Sequence, residues 1–182
     1  HSMKYPKILL TGGTGQVGYE LQKILKPLGA LWAPGRDEFD LANSDSLSAK
    51  IQAYQPDLIV NPAAYTAVDH AESKPDLARA INAEAPRVLA EEAHKLNIPL
   101  IHYSTDYVFD GTKTEPYTED DAPNPLNVYG KTKLDGEIAI LSIMKFDALI
   151  IRTSWIYSEY GNNFVDTILR LSQKNDKLNI IS

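Results

Sequence analysis

The feature that most limits the possible folds is a set of short apolar runs that alternate with longer, more polar segments. Each run has the length of a strand, and most are apolar at consecutive positions, as expected for parallel strands that are covered on both faces. The runs are residues 7–11, 30–34, 57–61, 99–105, 147–154 and 177–182. The alternation therefore predicts an α/β fold built on a doubly wound parallel sheet.

Five segments between these runs have the periodicity of a helix. They are residues 16–27, 44–54, 73–96, 126–145 and 162–174. The connection from Asp106 to Pro125 is long and acidic, which predicts a functional loop at the carboxyl edge of the sheet. Because no linker is visible, residues 3–182 are predicted to form one domain, and His1 and Ser2 are interpreted as a vector remnant.

The first predicted strand leads directly into a glycine-rich loop, TGGTGQVG at residues 11–18, which opens the first predicted helix. In this context, glycines at three-residue spacing are typical of dinucleotide binding in a Rossmann fold. The first would permit a tight turn, the second a close approach of backbone to pyrophosphate, and the third the packing of helix on strand. The predicted cofactor contacts here are Gly12, Gly15, Gln16, Val17 and Gly18.

Two further segments are predicted to line the same cofactor. GRDEFDL, residues 35–41, falls where the adenosine ribose is expected. Asp40 could accept hydrogen bonds from a ribose and Arg36 could bind a 2′-phosphate, so the segment does not decide between NADH and NADPH as the cofactor. A solvated charged turn without a ligand explains these residues equally well. After the third strand, small residues in NPAAYTAVD would let the cofactor pass. The predicted contacts in the two segments are Arg36, Asp40, Leu41, Ala63, Ala64 and Tyr65.

A tyrosine and a lysine share one face of the fourth predicted helix. In NVYGKTKLDGE, Tyr129 precedes Lys133 by four residues, so the two side chains can point into the same space. A cation beside the phenol favours the phenolate and would lower the pKa of Tyr129, which suits proton exchange. A solvent-facing pair is the alternative. Thr105, at the carboxyl end of the fourth strand, is predicted to lie at the same edge of the sheet.

Five segments in this order resemble the extended short-chain dehydrogenase/reductase family: TGGTGQVG, AAYTAVDHAE, HYSTDYVFDG, PLNVYGKTKLDGE and RTSWIY. The resemblance covers residues 4–182 and is closest to members that reduce the C4 keto group of dTDP-4-dehydro-6-deoxy-L-mannose, giving dTDP-L-rhamnose. It implies that Tyr129 protonates the keto oxygen, that Thr105 hydrogen-bonds this oxygen, and that Lys133 holds the nicotinamide ribose. Tyr129 and Lys133 would thus contact the cofactor, NADPH or NADH.

The resemblance also implies how the dTDP-linked 4-keto-6-deoxy sugar is bound, through Thr105, Asp106 and Trp155, although Trp155 could instead be a core residue. An epimerase or dehydratase of the same superfamily and a non-catalytic NADP-binding regulatory subunit stay open as alternatives. Extended members continue into a substrate-binding part. This chain stops inside the run at 177–182, so we expect that C-terminal part to be missing and turnover to be weak.

Composition excludes several kinds of partner. A net charge of −6 argues against a nucleic-acid surface, and no run approaches the ~20 apolar residues that cross a bilayer. The absence of cysteine fits a cytoplasmic protein. His70, His94 and His102 lack metal-ligand spacing, so we predict no metal site and assign these histidines no chemistry. A homodimer is one arrangement that the sequence leaves open.

Overall fold

Six parallel strands form one sheet in the part of the chain that the computed structural model describes, namely residues 5–13, 15–62, 68–105, 108–109, 121–145, 147–152 and 179–181. The strands are β1 (Lys7–Leu10), β2 (Ala30–Trp32), β3 (Leu58–Asn61), β4 (Leu100–Ser104), β5 (Ala148–Arg152) and β6 (Asn179–Ile181). Each lies within one of the six predicted runs. The predicted parallel sheet is therefore confirmed strand by strand.

The strand order is β2-β1-β3-β4-β5-β6, so β1 lies between the two strands that follow it in the chain. Ile8 pairs with Leu31 on one side and with Leu58 on the other. After β1 the chain therefore continues toward one edge of the sheet, and after β3 it continues toward the opposite edge. In doubly wound sheets the crevice at such a reversal, outside the carboxyl ends of the strands, is where ligands bind.

Helices cover both faces of the sheet. They are α1 (Gln16–Leu25), α2 (Leu47–Tyr54), α3 (Val68–Ser73), α4 (Pro75–Arg79), α5 (Ala85–Leu96) and α6 (Val128–Met144). Leu21 and Leu25 of α1 pack on one face of the sheet with Ile8 and Val60. On the other face, α2, α5 and α6 pack on a second apolar cluster that contains Leu9, Ile59, Leu100 and Ile150. Alternate positions of β1, β3, β4 and β5 therefore belong to different cores.

The long third helix predicted at 73–96 is interrupted in the structure. Pro75 begins α4, where a missing N–H costs little, and a π-helical turn at Ala80–Glu84 separates α4 from α5. Pro86 explains this turn, because it offers no N–H to the carbonyl of Asn82 and its ring would clash with that carbonyl. The Ala85 N–H instead donates to the Ala80 carbonyl, as a π turn requires.

The helix predictions at 16–27, 44–54 and 126–145 are confirmed with small changes at their ends. The first ends in a short 3-10 turn at Lys26–Leu28, and α2 follows a similar turn at Ser44–Ser46. The helix predicted at 162–174 lies outside the described residues. In the described part of the chain, no helix has both the length and the apolar character needed to cross a membrane.

Candidate active site

The glycine loop after β1 has the geometry that its sequence predicts. Gly12 adopts a left-handed conformation with φ of 58°, which favours glycine. The Gly15 N–H donates to the Gly12 carbonyl at 3.1 Å, which closes the turn in front of α1. A Cβ at Gly18 would lie 2.1 Å from the Gly12 oxygen, so the helix can approach the loop this closely because residue 18 has no side chain. The loop and the amino end of α1 form a backbone cradle at the sheet reversal.

The residues predicted to meet the adenosine part of the cofactor follow β2. Arg36 is exposed, and Leu41 is partly buried against the core beneath α2. One carboxylate oxygen of Asp40 accepts a hydrogen bond from the Ala42 N–H at 3.0 Å, so this carboxylate already stabilises its own turn. The segment keeps both a cation and an anion, and the choice between NADH and NADPH stays open.

The start of α6 is held by two acceptors. The Asn127 side chain accepts a hydrogen bond from the Gly130 N–H at 2.7 Å, and the Glu72 carboxylate from α3 accepts one from the Val128 N–H at 2.7 Å. Tyr129 lies in this first turn, 8% exposed, and packs with Ala71 and Ala78. These contacts fix the direction in which α6 presents its first two turns.

Lys133 is the largest fully buried side chain in the described part of the chain. Its Nζ donates to the Tyr103 carbonyl at 2.7 Å, so the ammonium reaches the carboxyl end of β4. Burial lowers the pKa of Lys133 to about 8, an effect that the negative charge of Glu137 partly opposes. With Tyr129 buried as well, the solvent-facing pair that the sequence left open is wrong.

A buried ion pair lies one helical turn beyond Lys133. Arg152, the last residue of β5, donates from Nη2 to Glu137 Oε1 at 2.6 Å and from Nε to Oε2 at 3.0 Å. Its guanidinium carbon also lies 5.4 Å from the centre of the Phe109 ring. The pair anchors the middle of α6 to the end of β5 and places a carboxylate near the lysine.

Four polar side chains in the carboxyl halves of neighbouring strands, or directly after them, form what we call the polar row: Thr11, Asn61, His102 and Arg152. All four are buried. The Thr11 hydroxyl donates to Asn61 Oδ1, and the Asn61 amide lies 3.0 Å from His102 Nδ1. Sequence reasoning missed the hydrogen bonds by which Thr11, Asn61 and His102 join their strands. Thr11 and Asn61 are polar residues at the end of an apolar run, which is the signal that could have identified them, whereas His102 and Arg152 lie inside their predicted runs.

The π turn fixes the position of α6 from the other side. Asn82 Nδ2 donates to the Thr132 hydroxyl at 3.1 Å, and a Cβ at Gly136 would lie 2.3 Å from the Asn82 carbonyl oxygen. Helix α6 therefore crosses the π turn where glycine leaves room for that carbonyl.

The structure thus brings part of the predicted site together. Thr105 is buried directly after β4, two residues beyond the carbonyl that holds Lys133. Ala63, Ala64, Tyr65, Asp106 and Trp155 lie outside the described residues, and Gln16 is described only by its backbone. Val17 is partly buried on the α1 side of the sheet. Within the described residues, no group of three or more His, Asp or Glu side chains could hold a metal ion.

Comparison with known proteins identifies the family of this chain. The family described as RmlD substrate binding domain matches residues 6–182. The chain belongs to this family. The dTDP-4-dehydrorhamnose reductase of Sinorhizobium fredii is 46% identical over 176 residues, which are 97% of this chain and 59% of that protein. The reductase of Salmonella typhimurium is 48% identical over 179 residues, which are 96% of this chain and 60% of that protein.

A solved structure of a similar protein agrees with the fold. The dTDP-4-dehydrorhamnose reductase of Bacillus anthracis, in complex with NADP, superimposes with a TM-score of 0.80 at 36% identity. The match covers 97% of this chain and 63% of that one. The chain spans about 60% of the length of the curated relatives that it matches.

Proposed function

We propose that this chain binds NADPH or NADH and belongs to an enzyme that reduces the C4 keto group of dTDP-4-dehydro-6-deoxy-L-mannose, forming dTDP-L-rhamnose. In this proposal residues 3–182 form the NAD(P)-binding Rossmann domain. Relatives of 46% and 48% identity that are named dTDP-4-dehydrorhamnose reductase support the activity. The cytoplasmic location and the homodimer stay predictions from the sequence.

The observation that carries the proposal is the buried ammonium of Lys133 at the carboxyl edge of the sheet. Burying a lysine to 1% exposure costs folding free energy, and ionisable groups in such positions cluster at functional sites. The Tyr103 carbonyl takes one of its three donor hydrogens. The others can serve a ribose hydroxyl and the phenol of Tyr129.

Reduction of a ketone requires a hydride at carbon and a proton at oxygen. The reduced nicotinamide supplies the hydride. Tyr129 would give its proton to the keto oxygen, and the Thr105 hydroxyl would donate a hydrogen bond to the same oxygen as negative charge develops there. The Lys133 cation would stabilise the phenolate that remains on Tyr129 and hold the nicotinamide ribose.

The glycine loop fits a dinucleotide on steric grounds. The left-handed Gly12 and the close contact at Gly18 keep side chains out of the cradle at the amino end of α1. Such a helix end attracts a diphosphate through its N–H groups and its partial positive charge. Ala63, Ala64 and Tyr65 would continue this cofactor site, and Asp106 and Trp155 would contact the sugar nucleotide.

The test is Tyr129→Phe, which removes the phenolic proton and keeps the ring. We expect the rate of NADPH-dependent reduction of dTDP-4-dehydro-6-deoxy-L-mannose to fall by about 100-fold or more. The NADPH dissociation constant should stay within about twofold, because the ring still packs on Ala71 and Ala78.

Tyr5→Phe is the matched control, because Tyr5 is exposed ahead of β1. It should change neither the rate nor the affinity. The proposed role of Tyr129 fails if Tyr129→Phe retains most of the rate of the unmodified chain. Titration with NADH beside NADPH in the same chain measures the cofactor preference.

A further inference from the structure

A hydrogen-bonded chain of three buried side chains joins the neighbouring strands β1, β3 and β4. Thr11 follows β1, Asn61 ends β3, and His102 lies within β4 directly opposite Asn61 in the sheet register. The Thr11 hydroxyl donates to Asn61 Oδ1, and Asn61 Nδ2 lies 3.0 Å from His102 Nδ1. Thr11 and His102 are fully buried and Asn61 nearly so. No solvent competes for these bonds.

The direction of the hydrogen bonds determines the tautomer of His102. The Thr11 hydroxyl supplies a proton to the amide oxygen of Asn61, so the amide nitrogen of Asn61 faces the imidazole. An amide nitrogen can only donate, and His102 Nδ1 must therefore accept. The ring is then neutral with its proton on Nε2.

Each strand end in this chain leads into a segment of the proposed reductase site. Thr11 precedes Gly12 of the glycine loop, Asn61 precedes the segment with Ala63 and Tyr65, and His102 precedes Thr105 by three residues. We infer that His102 is a positioning residue for cofactor binding, an inference that rests on the proposed function. His102 Nδ1 accepts a hydrogen bond from Asn61, which in turn accepts one from Thr11. These bonds keep the parts of β1, β3 and β4 that lie around the dinucleotide in register.

The charges around His102 agree with a neutral ring. Lys133 and Glu137 approach from α6, and Arg152 lies on β5 beside β4. Glu137 is already paired with Arg152, so the cation that the ring faces is Lys133. Burial, and then the charge of Lys133, hold the pKa of His102 well below its usual 6.5. A protonated ring would add a further buried cation beside Lys133 and would lose the hydrogen bond from Asn61.

The experiment compares His102→Asn with His102→Leu. Asparagine carries a polar atom bonded to Cγ, as His102 Nδ1 is, and can accept from Asn61, whereas leucine has the same branching without an acceptor. We expect His102→Leu to weaken NADPH binding by about tenfold or more and His102→Asn to stay within about threefold of the unmodified chain. Thermal unfolding of all three proteins confirms that each is folded. Equal affinity of the two variants, whether weak or strong, overturns the inference.

A second measurement does not depend on the cofactor. The ¹⁵N chemical shifts of the imidazole nitrogens distinguish the two neutral tautomers from the cation, and the signals of His102 are those lost in His102→Asn. We expect a protonated Nε2 and an unprotonated Nδ1 at pH 7. A proton on Nδ1 overturns the inference and leaves the proposed function standing. Failure of the unmodified chain to bind either NADPH or NADH instead contradicts the proposed function, and with it the role of His102.

Discussion

Replacing Lys133 by methionine should stabilise the protein at neutral pH while removing a group that the proposed reaction needs. The pKa of the buried ammonium is lowered from 10.5 to about 8, chiefly by burial. At roughly 1.36 kcal/mol per pKa unit, burying this charge costs about 3 kcal/mol of folding free energy at pH 7. Methionine has a similar length and no charge. The variant loses the hydrogen bond from Lys133 to the Tyr103 carbonyl, which costs about 1 kcal/mol, so the net gain is about 2 kcal/mol.

The sign of the effect sets its pH dependence. Between about pH 8 and 10.5 the unfolded chain holds a proton on Lys133 that the folded chain has lost, so the free energy of unfolding of the unmodified protein rises with pH. Lys133→Met lacks this contribution. The stability advantage of the variant should therefore shrink by about 2 kcal/mol between pH 7 and 9.5.

Urea unfolding of both proteins at several pH values, without nucleotide, measures this difference. Titrating groups distant from Lys133 cancel because they are common to the two proteins and independent of the substitution. Lys131→Met is the matched control, since Lys131 is exposed on the same helix, and its difference from the unmodified protein should not change with pH in this way. A constant difference between Lys133→Met and the unmodified protein from pH 6.5 to 9.5 would refute the reasoning.

Three further predictions concern the same site. Gly18→Ala brings a Cβ to 2.1 Å from the Gly12 oxygen, so NADPH titration should show at least about tenfold weaker binding. Glu137→Gln leaves Arg152 buried without its counter-charge, so chemical denaturation should show a free energy of unfolding that is lower by about 3–5 kcal/mol. The double variant Glu137→Leu with Arg152→Met should regain most of this free energy. Because Lys133 acts as a cation with a pKa of about 8, kcat/KM should decline above about pH 8 in a pH–rate profile.

The sequence predicts most of the fold because buried parallel strands are continuous apolar runs. Ile8, Ile59 and Ile150 each lie in such a run, and the glycine loop marks where the first helix begins. The interruption of the third helix was not predicted. The interruption arises because Pro86 has no N–H to donate to the carbonyl of Asn82, and the periodicity of apolar residues does not show how the backbone adjusts to this.

The candidate site was predicted only in part, for a different reason. Tyr129 and Lys133 lie four residues apart, so local helix geometry relates them. The contacts of Asn61 join residues 50 and 41 positions apart in the chain, and these partners can be known only from the strand order and register. His102 could not be distinguished by sequence from an ordinary core histidine.

The polar row makes the two ends of the central strands differ in what they contribute to the protein. Leu58, Leu100 and Ala148 begin β3, β4 and β5 and pack in the apolar clusters, whereas the carboxyl halves of these strands hold buried hydrogen bonds and charges. Replacing hydrogen-bonded partners of the polar row together by apolar residues would favour a more heat-resistant molecule with a poorer crevice, since stability and activity are commonly traded at such sites. Engineering for thermostability should therefore start at the amino ends and leave the polar row unchanged.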